Sequence, residues 1–365
     1  MEPLACSRTR RPSLARPRIH RSESDLISKA LVFAHWCVRP EVYFLEGVLR
    51  FRRLFSLRQI FGPFLIASFL VVPRAAAQGP APETAPPLFP GGGLISYNSV
   101  FATRGLQPES VPGISPTARP TFSHEGDFNF TWGFRKNFDF TLLVPVVTNY
   151  FADADGQTVG GTGLGDTLLL VKYRFYRKDS ARGTTQASLT IGPKIPTGAT
   201  HLSGRTGNLL PASLQPGSGS TDLFLQANWT YTGLLNIRRL VADEDFRSLI
   251  RTQGTQQTRL GSDLESRFWL SYRPYESKNL YREWFIGPAL TWMHSQNDRI
   301  AGVNQNGSGG DSLLAGITTY AGVRPGMHLW FGMDWDVAHS DGAIFSPVRR
   351  HISFGITQQF RMHLW

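Results

Sequence analysis

The sequence predicts an all-β chain: an up-and-down antiparallel transmembrane β-barrel of about 12 strands, with short periplasmic turns and long external loops. Three observations predict it. From residue 94 onward, segment after segment alternates apolar and polar residues with a period of two. The connections between those segments alternate short and long. A basic, then apolar, then small-residue stretch around residue 60 has the layout of a secretory signal.

The N-terminal part divides by composition. Residues 1–50 read as an upstream or disordered segment: "MEPLACSRTRRPSLARPRIHRS" is basic and poor in packing residues, although 26–50 carries helix-like apolar spacing. Residues 51–77 read as a signal peptide. "FRRLFSLRQ" is its basic part, "IFGPFLIASFLVVP" its apolar run, and Ala75 and Ala77 occupy the small-residue positions of a cleavage site. The run is shorter than the ~20 residues of a spanning helix and is interrupted by Gly62-Pro63. A signal belongs at the start of a chain, so translation is expected to begin near Val48 from a non-AUG codon. Residues 78–93 form a Pro/Gly linker without packing potential, and 94–365 the barrel.

The net charge of +11 suggests a nucleic-acid binder until it is located. Residues 1–78 hold 13 of the 38 Lys and Arg and only 5 of the 27 Asp and Glu. The remainder carries 25 basic and 22 acidic residues with no basic tract, which argues against a nucleic-acid partner. Cys6 and Cys37 both precede the cleavage site. The exported chain therefore has no disulfide, no Cys-based metal site and no thiol nucleophile.

The strands follow in order. "LISYNSVFAT" (94–103) fits the first. "DFNFTWGF" places Phe128, Phe130, Trp132 and Phe134 on one face, and "FDFTLLVPVVTNY" places Phe138, Phe140, Leu142, Val144 and Val146. In "GDTLLLVKYRFY", Leu169, Val171, Tyr173 and Phe175 oppose Asp166, Lys172 and Arg174. "ASLTIGPKI", "DLFLQANWTY", "ESRFWLSYR", "EWFIGPALTWMH", "HLWFGMDWDVAH" and "HISFGITQQF" repeat the pattern, while "SLLAGITTYAGV" is ambiguous in parity. Short connections at 135–137, 177–184 and 324–326 alternate with long ones at 152–165, 196–220, 295–311 and 339–349. With both barrel ends on the short-turn side, the alternation demands one further strand inside 232–261, placed within "LLNIRRLVADEDFRSLI" (234–250). The count is then about 12, an even number.

A soluble sandwich would also alternate, but its polar face would be dense in Lys and Glu and it would need about half the strands. Here the polar faces are rich in Asn, Gln, Thr and Gly, and the apolar faces are aromatic, with Trp and Tyr near strand ends. The apolar face is therefore expected to meet lipid. Asp166, Lys172, Arg174, Lys194, Arg267, Asp334 and Asp336 are the candidate lumen-lining residues.

Three stretches carry a family resemblance. "GTGLGDTLLLVKYRFY" (161–176), "LTIGPKIPTGA" (189–199) and "LQPGSGSTDLFLQANWTY" (214–231) resemble successive motifs of the putative phenol-degradation MetA-pathway outer-membrane proteins, often labelled simply transporter. The likeness covers about 150 to 231, and 232–261 departs from it. It implies a bacterial outer-membrane barrel that passes small, often aromatic or otherwise hydrophobic compounds, and it carries over no catalytic residue. "SFGITQQF" (353–360) resembles the last-strand signal of barrel proteins, with Gln358 where an apolar residue is usual.

The remaining motifs have plainer readings. "GGTGLG" (160–165) opens a strand, where a dinucleotide loop would open a helix, and reads as a flexible external loop. "DADG" (153–156) lacks the later ligands of a Ca²⁺ loop. Asp334 and Asp336 share a face and are expected to set pore electrostatics against Lys172, Arg174 or Arg267. His124, His201, His294, His328, His339, His351 and His363 form no metal-binding doublet, and no cofactor or metal is expected. Ser353 and His351 share a strand face.

The function this predicts is passive diffusion of small hydrophobic or aromatic compounds through an outer-membrane channel. Its partners are outer-membrane lipid and lipopolysaccharide, the barrel-assembly machinery and the small-molecule solute. The alternatives are a lipid-modifying barrel enzyme, marked by a Ser, a His and a carboxylate or carboxamide converging at the outer edge, and a structural barrel plugged by 196–220 or 232–261.

Overall fold

The computed structural model describes residues 84–104, 120–152, 158–181, 183–204, 207–274, 283–340 and 347–361. The segments read as upstream sequence and signal peptide, and the "DADG" stretch, lie outside the described residues. The strands are β1 (Gly92–Arg104), β2 (Phe122–Arg135), β3 (Phe138–Ala152), β4 (Thr158–Leu164), β5 (Thr167–Ser180), β6 (Gly183–Ile195), β7 (Asp222–Thr232), β8 (Leu240–Ile250), β9 (Thr258–Arg259), β10 (Asp263–Tyr272), β11 (Trp284–Ser295), β12 (Arg299–Ile300), β13 (Val303–Asn304), β14 (Gly310–Arg324), β15 (Met327–His339) and β16 (Val348–Arg361).

Each long strand pairs antiparallel with its neighbour in sequence, and β1 pairs β16 from Gly92↔Arg361 to Arg104↔Val348. The sheet runs β2-β1-β16-β15-β14-β11-β10-β8-β7-β6-β5-β3-β4 and closes through β2–β3. β4 and β5 are two halves of one interrupted strand: β3 pairs β4 through Val146–Ala152 and β5 through Phe138–Leu143. The result is a closed antiparallel barrel of 12 strands. Closure leaves no sheet edge, the one β arrangement that satisfies every backbone group inside hydrocarbon. β9, β12 and β13 form a separate small sheet at the long-loop end.

Burial is inverted relative to a soluble protein. Phe128 is 55% exposed, and Phe175, Leu189 and Ile191 are each 52%, all on outward faces. Ser188, Thr230 and Asp334 are 0% exposed, on inward faces. A continuous apolar outer band of this extent is a lipid- or partner-facing surface. Glu244 is an exception at mid-strand on the outward face, where Ser266 Oγ donates to its carboxylate at 2.6 Å.

Three expectations change. The 152–165 connection, with its "GGTGLG", is not a flexible loop throughout: Thr158–Leu164 is strand. Its glycines have a physical reason, since a Cβ at Gly160 would lie 1.9 Å from the Asn149 carbonyl oxygen. The 232–261 segment does not plug the barrel, because β8 is part of the wall. Thr84–Pro90, within the expected linker, packs instead of dangling: Thr84 is 7% exposed and Ala85 0%.

Candidate functional site

The inward strand faces enclose a polar lumen, and the chain itself enters it at the short-turn end. Gly91 (φ 76°) turns the chain just ahead of β1, and Gly92 N–H donates to the Phe89 carbonyl at 2.7 Å. Residues 84–90 then lie inside. Lys172 Nζ donates to the Thr84 carbonyl at 2.9 Å, and Ala85 N–H to Thr230 Oγ1 at 3.1 Å. Leu88 N–H is shared by both Asp139 oxygens at 3.0 Å. A segment with prolines at 86, 87 and 90 suits this place. Proline has no N–H, so few donors need a partner away from a strand ladder.

At the long-loop end the 196–220 connection folds inward over the lumen. Asp166, between β4 and β5, gathers that connection: Gly198 N–H, Ser218 N–H and Ser218 Oγ donate to it at 3.0, 2.9 and 2.6 Å. Lys194 Nζ sits between Asp166 (2.6 Å) and Asp222 (2.8 Å), all three nearly buried. Leu202, Leu210 and Leu214 pack on Phe151 and Val159 at the inner face of β3 and β4. Gln215 bonds back to Leu202 and Leu210, and Gln256 Nε2 reaches the Leu210 carbonyl at 2.8 Å from the next connection. This cap and the 84–90 plug face the same cavity of about 810 Å³.

The lumen charges fall into two sets. On β5, Lys172 holds the plug and Arg174 is bonded to Asn137 and Gln186. Opposite, β8 and β10 bring Asp243, Asp245, Arg247, Glu265 and Arg267 to a second cavity of about 420 Å³. There Arg247 meets Glu265 at 2.6 Å, and Gln226 and Asn228 donate to Asp245 at 2.9 and 3.2 Å.

Of the candidate residues named from sequence, Asp166 and Lys194 come together as the cap's anchor. Arg267 approaches Asp334 at 3.6 Å, and His351 Nδ1 lies 3.1 Å from the same carboxylate. Asp336 is engaged separately, by Arg349 at 2.7 Å and His339 at 2.8 Å. The two aspartates therefore do not form an acid–base pair, and neither meets Lys172 or Arg174. Sequence reasoning missed Asp139, Asp222, Asp243, Asp245 and Trp269. Asp139, Asp222 and Trp269 were legible, since each alternates with an assigned apolar face (Phe138 and Phe140, Leu223 and Leu225, Phe268 and Leu270); Asp243 and Asp245 sit in 234–250, whose face was not assigned.

The enzyme alternative requires a Ser, a His and a carboxylate or carboxamide together at the outer edge. Ser353, His351 and Asp334 lie inside the lumen, and Ser353 Oγ has no hydrogen-bond partner. On the outward face Ser99 Oγ meets His124 Nε2 at 2.8 Å. Ser99 is only 1% exposed, and among the described residues no carboxylate orients His124.

No protein-family model and no curated protein matches the sequence. Among solved structures, the COG4313 outer membrane channel from Pseudomonas putida F1 is similar with a TM-score of 0.54 at 14% identity, over 78% of this chain and 100% of that one. The beta domain of the Bordetella autotransporter BrkA follows at TM-score 0.45 and 12% identity, over 74% and 100%. At this identity the likeness is one of fold: this chain has the barrel architecture of bacterial outer-membrane proteins.

Proposed function

We propose that the chain is an outer-membrane channel through which small hydrophobic or aromatic compounds diffuse passively. The observation that carries the reading is the inverted burial: an exposed apolar wall around a polar lumen that holds a cavity of about 810 Å³, lined by inserted segments as well as by the wall. The 84–90 plug is held by side chains and single backbone contacts, so its release requires no change in the barrel. The fold shared with an outer membrane channel supports this reading, as does the resemblance of 150–231 to the MetA-pathway proteins. In it, lipid and lipopolysaccharide surround the apolar band. β16, ending in the barrel-type terminal pattern, is the segment the assembly machinery takes up. Asp166, Lys172, Arg174, Lys194, Arg267, Asp334 and Asp336 set the lumen's charge and hold its closures.

Liposome swelling tests it. Proteoliposomes are challenged with aromatic acids and with sugars of similar size. Faster entry of the aromatic solutes is expected. Equal rates for both, or none above protein-free liposomes, would retire the proposal in favour of a plugged structural barrel.

A further inference from the structure

The short-turn rim of the barrel is basic. The β2–β3, β5–β6, β7–β8, β10–β11 and β14–β15 connections and the end of β16 each bring at least one Lys or Arg to it. Arg135, Lys136, Lys178, Arg238, Arg324 and Arg361 are all exposed, and among the described residues none of them meets a carboxylate. Asp179 and Glu283 at the same rim are taken by Arg177 at 2.8 Å and Arg273 at 2.9 Å. Asp139 is buried and holds the plug. At the long-loop end, by contrast, cations and carboxylates interleave: Lys194, Arg251 and Arg349 meet Asp166, Asp263 and Asp336. No basic tract marks the rim in the sequence, because each turn contributes few cations and only closure of the sheet collects them into a ring. Of the six, Lys136 alone lines the 810 Å³ cavity, so this charge belongs to the rim more than to the lumen.

Apolar side chains share the rim. In the β7–β8 turn Leu235 is 77% and Ile237 47% exposed, next to Arg238. Arg238 Nη2 donates to the Ala181 carbonyl at 3.4 Å, so the β5–β6 and β7–β8 turns touch and bring Lys178 and Arg238 into one patch. Phe134 and Trp284 are exposed at neighbouring strand ends, in continuity with the apolar outer band. Apolar and aromatic side chains with cations just beyond them match the chemical order of a membrane–water boundary.

We propose that this rim is a docking surface for anionic phospholipid headgroups of the leaflet at the short-turn end. Leu235, Ile237, Phe134 and Trp284 enter the acyl boundary, and the guanidinium and ammonium groups meet the phosphates. A zwitterionic headgroup offsets its own phosphate with its own cation. An anionic headgroup does not, so a ring of cations without carboxylate partners favours it. The inference rests on the membrane-barrel reading and not on conduction: a plugged barrel would carry the same rim.

The test is fluorescence quenching by brominated lipid, on the full chain in phosphatidylcholine vesicles. Cys6 and Cys37 are replaced by Ser, and one labelled thiol is placed by Leu235→Cys at the rim or by Val337→Cys on the outward face of β15 near the long-loop end. Brominated phosphatidylglycerol and brominated phosphatidylcholine are compared at equal mole fraction. At Leu235→Cys the anionic lipid is expected to associate about fivefold more strongly, the factor that one cation near a charged surface gives. At Val337→Cys the two lipids are expected to quench alike. The preference should fall at least twofold, by this same scale, in Lys178→Gln/Arg238→Gln, and it should fall again at about 1 M salt, where the screening length is about 3 Å. The heat-modifiable gel shift shows that the variant is folded, and the salt series repeats the test without it. Equal quenching by both lipids at Leu235→Cys, the same preference at both labels, or a preference that neither salt nor the variant lowers would overturn the proposal while leaving the barrel in its membrane. If neither lipid quenches either label, the outer wall does not meet hydrocarbon, and the membrane reading falls together with the docking surface.

Discussion

Asp139→Leu should free the plug. Leu88 N–H meets both Asp139 oxygens at 3.0 Å, and the other side-chain anchors are Lys172 on the Thr84 carbonyl and Thr230 on Ala85 N–H. A hydrogen bond to a charged group contributes about 1.5–3 kcal/mol. At about 1.4 kcal/mol per decade, its loss raises the released fraction of the plug about 10- to 150-fold. The readout is thiol labelling. Both natural cysteines, Cys6 and Cys37, are replaced by Ser, and Thr84→Cys puts one thiol where the side chain is 7% exposed. When re-entry is fast, the labelling rate follows the released population, so Asp139→Leu should accelerate it by the same factor. Thr230→Ala, which removes a neutral acceptor, should give a smaller acceleration, about 2- to 10-fold. Equal labelling rates in the parent and Asp139→Leu would mean that the segment is held by packing alone and that the Leu88–Asp139 contact is incidental.

Other perturbations reach other parts of the molecule. Lys194→Met leaves Asp166 and Asp222 facing each other without their shared cation, a loss of about 3–5 kcal/mol for a buried pair; protease cleavage within 196–220 should rise sharply while the barrel's gel shift persists. Leu189→Arg puts a charge in the exposed outer band of β6, where hydrocarbon would impose about 2–4 kcal/mol; assembly into lipid vesicles should slow, and an unaffected yield would mean that this face meets water. Glu244→Gln removes the outward carboxylate of β8 and should raise the unfolding temperature in lipid; a fall would instead indicate that something polar covers that face.

The barrel was legible because two independent periodicities agree. Side-chain alternation assigns Leu169, Val171, Tyr173 and Phe175 to one face, and connection length assigns the end at which each strand turns. Together they required a strand inside 232–261, where "VADEDFR" hid it, and β8 lies there with Asp243 and Asp245 inward. Two lumen-facing carboxylates around an outward Glu244 make three consecutive acidic residues with no alternation in hydropathy. The plug was not legible for a different reason. "TAPPLFP" has the composition of a linker, and composition reports the absence of a ladder, not the absence of a place. Its fit depends on Asp139 and Lys172, paired across β3 and β5, and on Thr230 of β7, two strands further along the sheet, so the place exists only once those strands have paired. β4 was missed because glycine runs signal loops, whereas here they let two backbones approach closely at Gly160.

Two closures in series have a consequence that either alone would not. The plug and the cap line one cavity from opposite ends, so in the proposed channel a solute that takes this cavity meets both. If they open independently, the through-open fraction is the product of the two open fractions, and the opening free energies add. Asp139→Leu alone then leaves the cap limiting, and Lys194→Met alone leaves the plug limiting. Each single variant should raise the time-averaged conductance in a planar bilayer by its own factor, and the double variant by the product. A double variant that falls well short of the product would show that releasing one segment already loosens the other, through the cavity they share. One that conducts no better than the parent would show that neither segment is the barrier, and would move the constriction to the charged rows of β8 and β10.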